Sequence, residues 1–388
     1  MATRFHDEHD LATLRRWLEG NQDSQAEKMV GEFETAFAEA VGAQHVIANA
    51  SAMHGLQAAL QACYIEPGDE VIVDPIVVFA GLAVMYCNAV PIFADIDSRT
   101  FNMSPESFRK YITPRTRAVI CTHFAGSPCD MDEIVTIARE HDLIVIEDCA
   151  HALYAQYKGH PAGLLGDVGV FSFNHRKQLS TGQGGAMTFT NPKLYEEVRR
   201  LTFGRVPSRL AWNMAMPGIV AAVALAQLPK SRQYVDEDRR NAALMNRAVE
   251  GCEWIVPQYV APDTVSSYHL WTAFYKGEEH GIPMEDFKRV CVEEGADYFL
   301  FGFMPQNWQG IRARPAYAYP VFTTPLAYGK NCPTRCPHYQ GNVDYTKELC
   351  PQAEQISPRL INTTLSPIRQ ERGEKLAEGL YRAVQRFM

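Results

Sequence analysis

The stretches LIVIEDCAHA (residues 143–152) and VGVFSFNHRK (residues 168–177) decide the fold class of this chain. Each begins as a run of apolar residues, many of them β-branched, and ends on polar residues. Continuous apolar strands of this kind are typical of parallel sheets that are buried on both faces. Three further strand-like runs lie at residues 70–74, 118–123 and 185–190. Helical stretches separate the runs, so the sequence predicts an α/β protein with a mostly parallel sheet.

Two helical stretches and a change in composition predict the domain organisation. Residues 51–63 and 131–141 have the apolar spacing of helices that pack on a sheet. At residues 236–240 the polar run DEDRR predicts the start of a new helix, and strand–helix units recur less regularly beyond it. We therefore expect a large N-terminal domain over residues 1–240 and a smaller C-terminal α+β domain over residues 241–388.

Two segments near the C-terminus have distinct compositions. Residues 303–345 are rich in Pro, Gly, Tyr and Asn, which predicts an extended surface segment. Its aromatic residues include Tyr317, Tyr319, Phe322 and Tyr328. They could stack on a ligand or cover the core, and we expect the second, because aromatic side chains commonly serve packing. Apolar residues at helical spacing over residues 370–388 predict a helix that faces the core.

The composition is that of an ordinary globular protein, with 46% hydrophobic and 21% charged residues. The formal net charge of −8, from 45 acidic and 37 basic residues, argues against a nucleic-acid-binding surface. The first 30 residues contain no apolar segment of a secretory signal, and no apolar run is long enough to cross a membrane. Scattered cysteines in apolar stretches indicate reduced thiols. We therefore expect a cytoplasmic protein that binds neither nucleic acid nor membrane.

A local group of cysteines could supply zinc ligands. Cys332 and Cys336 are followed by His338, and Cys350 lies further on. Their spacing matches no paired CxxC unit, and the prolines between them favour a loop. We therefore interpret this region as a cysteine-bearing insertion and expect no metal site.

Asp148 ends one of the predicted strands and is followed by the sequence Cys-Ala-His151. A carboxylate at the end of an apolar strand is costly unless it is paired. A pyridine nitrogen is a suitable partner, because the carboxylate keeps the ring protonated and therefore electron-withdrawing. The alternative interpretation is an ordinary aspartate that caps the next helix.

Lys177 follows the strand that contains Ser172. The glycine-rich turn STGQGG (residues 180–185) begins three residues after Lys177. Ser172 can donate a hydrogen bond to a phosphate, and the glycines let backbone approach a ligand closely. Burial would lower the pKa of Lys177 and free its amine for Schiff-base chemistry. A lone lysine in a loop is usually a solvated charge, so the whole pattern carries this prediction.

The segment Ser51–Gly55 lies at the predicted start of a helix. The first backbone N–H groups of a helix have no acceptor within it, and the helix dipole adds partial positive charge there. Such a helix start can bind a phosphate. Every helix has an N-terminus, so this feature supports the site only in combination with the two strand ends.

These motifs in register resemble the signature of the DegT/StrS family of sugar aminotransferases, which are fold-type I enzymes that use pyridoxal phosphate (PLP). The resemblance is carried by Asp148-Cys-Ala-His151, Phe171-Ser-Phe173 with Lys177, and Gly182-Gln-Gly-Gly185, and it covers about residues 25–235. It implies PLP as cofactor, a large α/β domain with a mostly parallel seven-stranded sheet flanked by helices, and a smaller C-terminal α+β domain. It also implies a homodimer with shared active sites.

The resemblance assigns roles around the ring of the cofactor. Lys177 resembles the lysine that forms the Schiff base, and it also serves as the general base. Asp148 resembles the partner of the pyridine nitrogen. His151 is similar to the residue that contacts the hydroxyl group of the ring.

It also implies contacts to the rest of the cofactor. Ser172 resembles a phosphate ligand, helped by the backbone amides of Ala52 and Met53. Phe79 is the expected aromatic residue that stacks on the ring. Asn213 corresponds to the asparagine that reaches the phosphate in the partner subunit.

The chain departs from the family pattern at three places. Met53 replaces a threonine in the phosphate-binding segment, Gln183 replaces a glutamate, and Ala215 replaces an arginine. A related branch has histidine in place of the lysine and removes a sugar hydroxyl. Lys177 stands in register here, and His175 does not take its place.

We therefore expect an aminotransferase that moves an amino group from glutamate or glutamine to a keto-sugar, a nucleotide-linked keto-sugar or a cyclitol ketone. One alternative is the same cofactor in another reaction, such as dehydration, aromatisation or β-substitution. Another is a relative that binds the cofactor without catalysis. Conversion of the bound cofactor to its amine form by an amino acid would distinguish the aminotransferase from both alternatives.

Overall fold

The computed structural model describes residues 7–20, 22–203, 213–302, 314–324, 333–366 and 370–388. The helices are α1 Glu8–Glu19, α2 Gln22–Val41, α3 Ala52–Ala62, α4 Val78–Tyr86, α5 Pro105–Lys110, α6 Met131–Glu140, α7 Pro192–Phe203, α8 Gly218–Ala248, α9 Met284–Glu293, α10 Pro320–Thr323, α11 Pro351–Ile356 and α12 Gln370–Gln385. The strands are β1 His45–Asn49, β2 Glu70–Val73, β3 Val90–Phe93, β4 Thr116–Thr122, β5 Ile144–Asp148, β6 Gln156–Tyr157, β7 His160–Pro161, β8 Val168–Ser172, β9 Gly185–Phe189, β10 Ile255–Pro257, β11 Thr264–Val265, β12 Leu270–Tyr275, β13 Leu300–Phe301 and β14 Leu360–Thr364.

The large sheet has seven strands in the order β1-β9-β8-β5-β4-β2-β3. Strands β3, β2, β4, β5 and β8 are parallel to their neighbours in this series. Strand β9 is antiparallel to both β1 and β8. The prediction of an α/β fold with a mostly parallel seven-stranded sheet is therefore confirmed.

The two faces of the sheet are covered by different helices, as the apolar strands predict. Ile120 and Ile146 pack in a cluster with α3 and α4 on one face. Val119 and Val145 pack with α6 on the other face. Because side chains alternate along a strand, Asp148 points to the same face as Ile146. This alternation places the end of β5 beside the start of α3.

A smaller antiparallel sheet forms the C-terminal part, with the order β10-β12-β14-β13. It packs against α9, α12 and the C-terminal part of α8. In α12, Leu376, Leu380 and Val384 are buried, so the prediction of a helix that faces the core is confirmed. The short strands β11, β6 and β7 form a third sheet.

The expected helix start at residues 236–240 is wrong. These residues lie inside α8, a helix of 31 residues that begins at Gly218. Its first half contributes Ala221 to the cluster with α2, and its second half contributes Met245 to the cluster with the small sheet. The predicted domain boundary after residue 240 therefore falls within one continuous helix, and the boundary itself stays a prediction. Among the described ranges, no helix combines the length and the apolarity of a membrane span.

The expectation of a surface segment at residues 303–345 is wrong for Tyr317, Tyr319 and Phe322, whereas Arg335, Pro337, His338 and Gln340 are exposed. Tyr317 and Tyr319 are buried among the side chains that cover the large sheet, as is Phe322. The hydroxyl of Tyr317 donates to Glu354 and accepts the backbone N–H of Cys350 at 3.2 Å. These aromatic residues cover the core, as expected, and Tyr328 lies outside the described residues.

Candidate active site

The carboxyl ends of β5, β4 and β8 bring the candidate residues to one edge of the large sheet. Thr122 at the end of β4 pairs with Asp148 at the end of β5, and Asp148 pairs with Val170 on β8. Ligands of parallel α/β sheets bind at this edge. The strand-end positions of the sequence prediction therefore meet in space.

Asp148 is a buried carboxyl, with 2% of its surface exposed. One of its oxygens accepts the backbone N–H of Ala150 at 3.0 Å. Burial raises the pKa of Asp148. This hydrogen bond and the nearby charges of Lys177 and His123 offset only part of that rise. A protonated ring nitrogen would supply a cationic partner for such a carboxylate.

Lys177 is half-buried and directs its amine into the site. Its Nζ lies 3.4 Å from Nε2 of His269, the residue directly before β12. Burial lowers the pKa of Lys177 to about 7, and the charge of Asp148 offsets part of this effect. Near neutral pH a large fraction of the amine is therefore unprotonated, as a lysine needs to be to attack a carbonyl carbon.

His151 lies between the strand ends and the small sheet. Its ring centroid is 4.7 Å from that of His269 and 6.3 Å from that of Phe124. Burial lowers the pKa of His151 well below its usual value, so the ring is neutral. Its Nδ1 is buried and has no hydrogen-bond partner among the described residues. A buried nitrogen of this kind needs a partner that a ligand can supply.

The Phe-Ser-Phe sequence aims Ser172 at the site. Phe171 and Phe173 pack against Phe37 of α2, with ring centroids 5.3 and 5.5 Å from its own. Strand alternation therefore places Ser172 on the opposite face, toward α3. The loop beyond is closed by backbone hydrogen bonds from Phe173 to Gly184 at 2.8 Å and from His175 to Gly182 at 3.0 Å. These contacts hold the segment that carries Lys177.

The start of α3 and the end of β8 meet at Gly185. This glycine pairs with both Ser172 and Asn49. A methyl group at Gly185 would lie 2.8 Å from the backbone nitrogen of Ala52 and 2.7 Å from the carbonyl oxygen of Phe171. Only glycine lets these backbones approach so closely. The structure thus brings together Ser172 and the first amides of α3, as expected.

Ser51 is the N-cap of α3, and its side chain accepts the N–H of His54 at 3.3 Å. The amides of Ala52 and Met53 precede that residue and belong to the first turn, whose N–H groups have no acceptor within the helix. The side chain of Met53 packs partly on the core cluster. Without the threonine hydroxyl, the backbone amides and Ser172 are the hydrogen-bond donors that this cradle would offer to a phosphate.

Two predicted cofactor contacts are not brought into the site by the single chain. Phe79 lies in the first turn of α4 and is 56% exposed. Asn213 is exposed, next to Met214, whose carbonyl oxygen accepts the N–H of Ala50 at 2.8 Å. The stacking role of Phe79 and the contact of Asn213 with a partner subunit both stay predictions.

Two residues of this site were not singled out from the sequence as site residues. His269 contacts Lys177 across a sequence separation of 92 residues. Asp74, just after β2, is buried, and one of its oxygens accepts the N–H groups of Ile76 and Val77, both at 2.9 Å. Burial raises the pKa of Asp74 to about 6, and the charge of Asp148 adds to the increase. The dipeptide Asp-Pro after an apolar strand was the available signal for Asp74.

Within the described part of the chain, one group of buried side chains has the spacing of metal ligands: His123, Glu147 and Cys149. The carboxylate of Glu147 contacts Nε2 of His123 at 2.9 Å and accepts the backbone N–H groups of Gly163, Leu165 and Gly166. These four contacts occupy its oxygens, so the group stabilises the loop after β7. In the proposed cysteine-bearing insertion, Cys350 is buried, Cys336 is half-buried and Cys332 lies outside the described residues.

The residues present fit the cofactor that the sequence resemblance implies. A buried carboxylate suits a protonated ring nitrogen, and the unpartnered Nδ1 of His151 suits the ring hydroxyl. The amine of Lys177 suits covalent attachment to an aldehyde. The cradle at Gly185 suits a phosphate, because it offers backbone amides and the Ser172 hydroxyl.

Known proteins resemble this chain in sequence and in fold. The DegT/DnrJ/EryC1/StrS aminotransferase family matches residues 5–371. The chain is 34% identical over 305 residues to the spore coat polysaccharide biosynthesis protein SpsC of Bacillus subtilis, covering 74% of this chain and 78% of that protein. It is 41% identical over 220 residues to GDP-perosamine synthase of Caulobacter vibrioides, covering 55% of this chain and 59% of that one.

A further relative is the L-glutamine:2-deoxy-scyllo-inosose aminotransferase of Streptomyces lividus, which is 34% identical over 66% of this chain and 64% of its own length. The solved structure of 3-amino-5-hydroxybenzoic acid synthase superposes with a TM-score of 0.82 at 25% identity, over 100% of this chain and 98% of that one. DesI, solved in the presence of its TDP-sugar product, gives 0.80 at 25% identity, over 99% and 92%. This chain therefore belongs to the DegT/DnrJ/EryC1/StrS aminotransferase family of PLP-dependent enzymes.

Proposed function

We propose that this enzyme transfers an amino group from glutamate or glutamine to a keto-sugar, a nucleotide-linked keto-sugar or a cyclitol ketone. The observation that carries the proposal is the inward-directed amine of Lys177, whose pKa burial lowers to about 7 beside the carboxyl of Asp148. Relatives named as GDP-perosamine synthase and as glutamine-dependent aminotransferases of a cyclitol ketone support the substrate class. A lysine at position 177, where a related branch has histidine, favours transamination over removal of a hydroxyl.

Each site residue has a separate task in this proposal. The amine of Lys177 would hold the cofactor and would serve as the base that takes a proton from the α-carbon of the amino donor. Asp148 would keep the ring nitrogen protonated, and His151 would bind the ring hydroxyl through Nδ1. When it is bound, PLP supplies an electron sink for the negative charge that develops on carbon.

The cradle at Gly185 would hold the phosphate end of the cofactor. The hydroxyl of Ser172 and the amides of Ala52 and Met53 would donate hydrogen bonds to it. No step of proton transfer takes place at this end. Its task is to fix the distance between the ring and Lys177, because a displacement of about 1 Å at a reacting group can reduce a rate about a hundredfold.

We further propose that the enzyme works in the cytoplasm as a homodimer that shares its active sites. Helix α4 has no charged residue, yet it exposes Phe79 and Tyr86, which are 56% and 51% exposed. They lie seven residues apart and therefore share one face of the helix. An apolar helix face of this kind fits against a second copy of the chain. The exposed Asn213 would then meet the phosphate of the partner subunit.

The test of the proposed reaction uses the enzyme with bound PLP. Glutamate, glutamine and, for comparison, alanine are added separately, and the visible absorbance of the bound cofactor is followed. We expect glutamate or glutamine to convert the cofactor to its amine form and a keto-sugar or a cyclitol ketone to restore the first spectrum. If no amino acid changes the spectrum of an enzyme that retains its cofactor, the proposed reaction is wrong.

A further inference from the structure

We propose that His269 is a positioning residue for the reaction. Its side chain accepts a hydrogen bond from the Lys177 amine and holds that amine in place for proton transfer. The two nitrogens, Nζ of Lys177 and Nε2 of His269, lie 3.4 Å apart. A lysine ammonium has donors and no acceptor, so Nε2 must accept whenever Lys177 is charged. The inference rests on the role of Lys177 in the proposed function.

The backbone around His269 is fixed to the large domain by several contacts. The hydroxyl of Ser267 donates to the carbonyl oxygen of His151 at 2.6 Å, and the N–H of Ser267 donates to Gly126 at 3.0 Å. A methyl group at Gly126 would lie 2.8 Å from that same carbonyl oxygen of His151 and 2.9 Å from the backbone nitrogen of Tyr268. The close approach therefore requires a glycine, and it sets the position of His269.

A second set of contacts fixes His269 from the small sheet. Its carbonyl oxygen accepts the N–H of Leu365 at 3.1 Å, just beyond β14. Tyr268, the residue before it, has a φ of 49°, a left-handed conformation that is rare for a side chain of this size. Backbone strain of this kind persists where the surrounding structure demands it. The chain thus bends sharply just before it places His269 against Lys177.

The contacts of His269 suit a nitrogen that accepts a hydrogen bond. Its ring packs on His151, which burial keeps neutral, and its Nε2 faces Lys177. Charged groups near this pair include Asp148, which acts on Lys177, and Asp238, which is joined to the Lys177 loop through Gln178; the guanidinium of Arg239 donates to the carbonyl oxygen of Ser266 in the segment before His269. A second cation beside Lys177 would be costly in this buried space. A neutral imidazole with its proton on Nδ1 is the form that accepts from Lys177.

This contact matters in the step in which Lys177 carries a proton. In the proposed reaction the C–H bond at the α-carbon of the amino donor would break, its electron pair would stay on that carbon, and Nζ of Lys177 would take up the proton. His269 gains and loses no proton in this step. It stabilises the charged form of Lys177, because a hydrogen bond to a charged group is stronger than one to a neutral group. It also fixes the direction of the amine.

The test compares three variants of the enzyme with bound PLP. His269→Phe keeps a ring but removes the acceptor, and His269→Gln restores an acceptor near the position of Nε2. His280→Gln is the matched control, because His280 is exposed on a 3-10 turn away from the site. The measurements are the pH titration of the visible absorbance band, the rate of conversion to the amine form, and the KM for the amino donor.

We expect His269→Phe to lower the apparent pKa of the absorbance change, because the protonated nitrogen of residue 177 loses its acceptor. The rate of conversion should fall about ten- to hundredfold, as for the loss of a hydrogen bond to a charged group, with little change in KM. His269→Gln should recover much of both effects, and His280→Gln should match the original enzyme.

An unchanged titration and an unchanged rate in His269→Phe would overturn the proposal, as would a glutamine variant that behaves like the phenylalanine variant. If His269→Phe does not fold by circular dichroism, His269→Leu, which also lacks an acceptor, takes its place in the same comparison. Lys177→Ala separates the two proposals. If that variant retains the visible band, the proposed function fails, whereas normal behaviour of His269→Phe alone removes only the role of His269.

Discussion

The side-chain amide of Gln178 donates to the carboxylate of Asp238 at 2.9 Å and to the carbonyl oxygen of Ser267 at 3.0 Å. Gln178 follows Lys177 in sequence, Asp238 lies in α8, and Ser267 belongs to the segment that carries His269. Asp238 also accepts a hydrogen bond from Ser366. The buried side-chain amide of Gln178 therefore links the loop that carries Lys177 to α8 and to the segment directly before β12.

Replacement of Gln178 tests this tie. We expect Gln178→Ala to lower the free energy of unfolding by about 1 to 3 kcal/mol, because the buried carboxylate of Asp238 loses a donor. It should also slow the conversion of the cofactor by glutamate. Chemical denaturation and stopped-flow absorbance measure the two effects. Gln233→Ala is the control, since Gln233 makes an exposed hydrogen bond to Glu237 in the same helix. Equal effects of the two substitutions would contradict the tie.

The pKa of Lys177 predicts how the protein without cofactor captures PLP. Only the unprotonated amine attacks the aldehyde, and burial lowers this pKa to about 7. The rate of capture should therefore rise with pH up to about 7 and become level above it. A solvated lysine, with a pKa near 10.4, would give a rate that continues to rise through pH 9. The rate is measured by the appearance of the visible band after mixing.

Asp74 predicts an increase in stability on substitution. The pKa of Asp74 is raised to about 6 in the folded protein, whereas the same carboxyl in the unfolded chain ionises at a lower pH. Burial of Asp74 therefore destabilises the fold increasingly as the pH rises above the unfolded pKa, and the full loss of stability is reached above about pH 6. Asp74→Asn keeps an oxygen for the N–H groups of Ile76 and Val77. We expect it to raise the free energy of unfolding at pH 7.5 by about 1 to 3 kcal/mol.

This gain should disappear as the pH falls toward 4, where the folded carboxyl is already protonated. Denaturation curves at several pH values measure it. Asp297→Asn, at an exposed position, is the control and should change stability little at any pH. A gain for Asp74→Asn that does not depend on pH would contradict the assignment of a buried, partly protonated carboxyl.

Gly185 predicts a loss of cofactor affinity when the cradle is filled. A methyl group there would lie within 2.8 Å of both Ala52 N and Phe171 O, so Gly185→Ala must move the start of α3 or the end of β8. We expect weaker binding of PLP by at least about tenfold, measured by equilibrium dialysis. Gly31→Ala, in α2 with no atom within 4 Å of the added methyl group, should leave the affinity unchanged. Similar affinities of the two variants would exclude this cradle as the phosphate site.

Sequence reasoning correctly placed Asp148 and Ser172 at the ends of strands and Ala52 at the start of a helix. Asp148 and Ser172 end apolar strands, and the position of a strand end follows from the local pattern of apolar residues. The helix start at Ala52 follows from the serine before it. Local signals of this kind are sufficient because parallel strands bring their carboxyl ends to one edge of the sheet.

The features that sequence reasoning missed depend on contacts between distant segments. His269 meets Lys177 across 92 residues, and only the docking of Ser267 on His151 and Gly126 reveals the contact. The polar run at residues 236–240 was wrong as a helix start, because α8 packs against different neighbours along its length. A buried polar residue such as Asp238 gives such a run the appearance of an exposed helix end.

The most direct test of the account is to locate the covalent link to the cofactor. The enzyme with bound PLP is reduced with borohydride, digested, and analysed by peptide mass spectrometry, with Lys177→Ala treated in parallel. We predict that the mass of the reduced cofactor is found on Lys177 and on no peptide of the Lys177→Ala variant. Attachment to another lysine in the original enzyme, or the same label in the variant, would contradict the central claim.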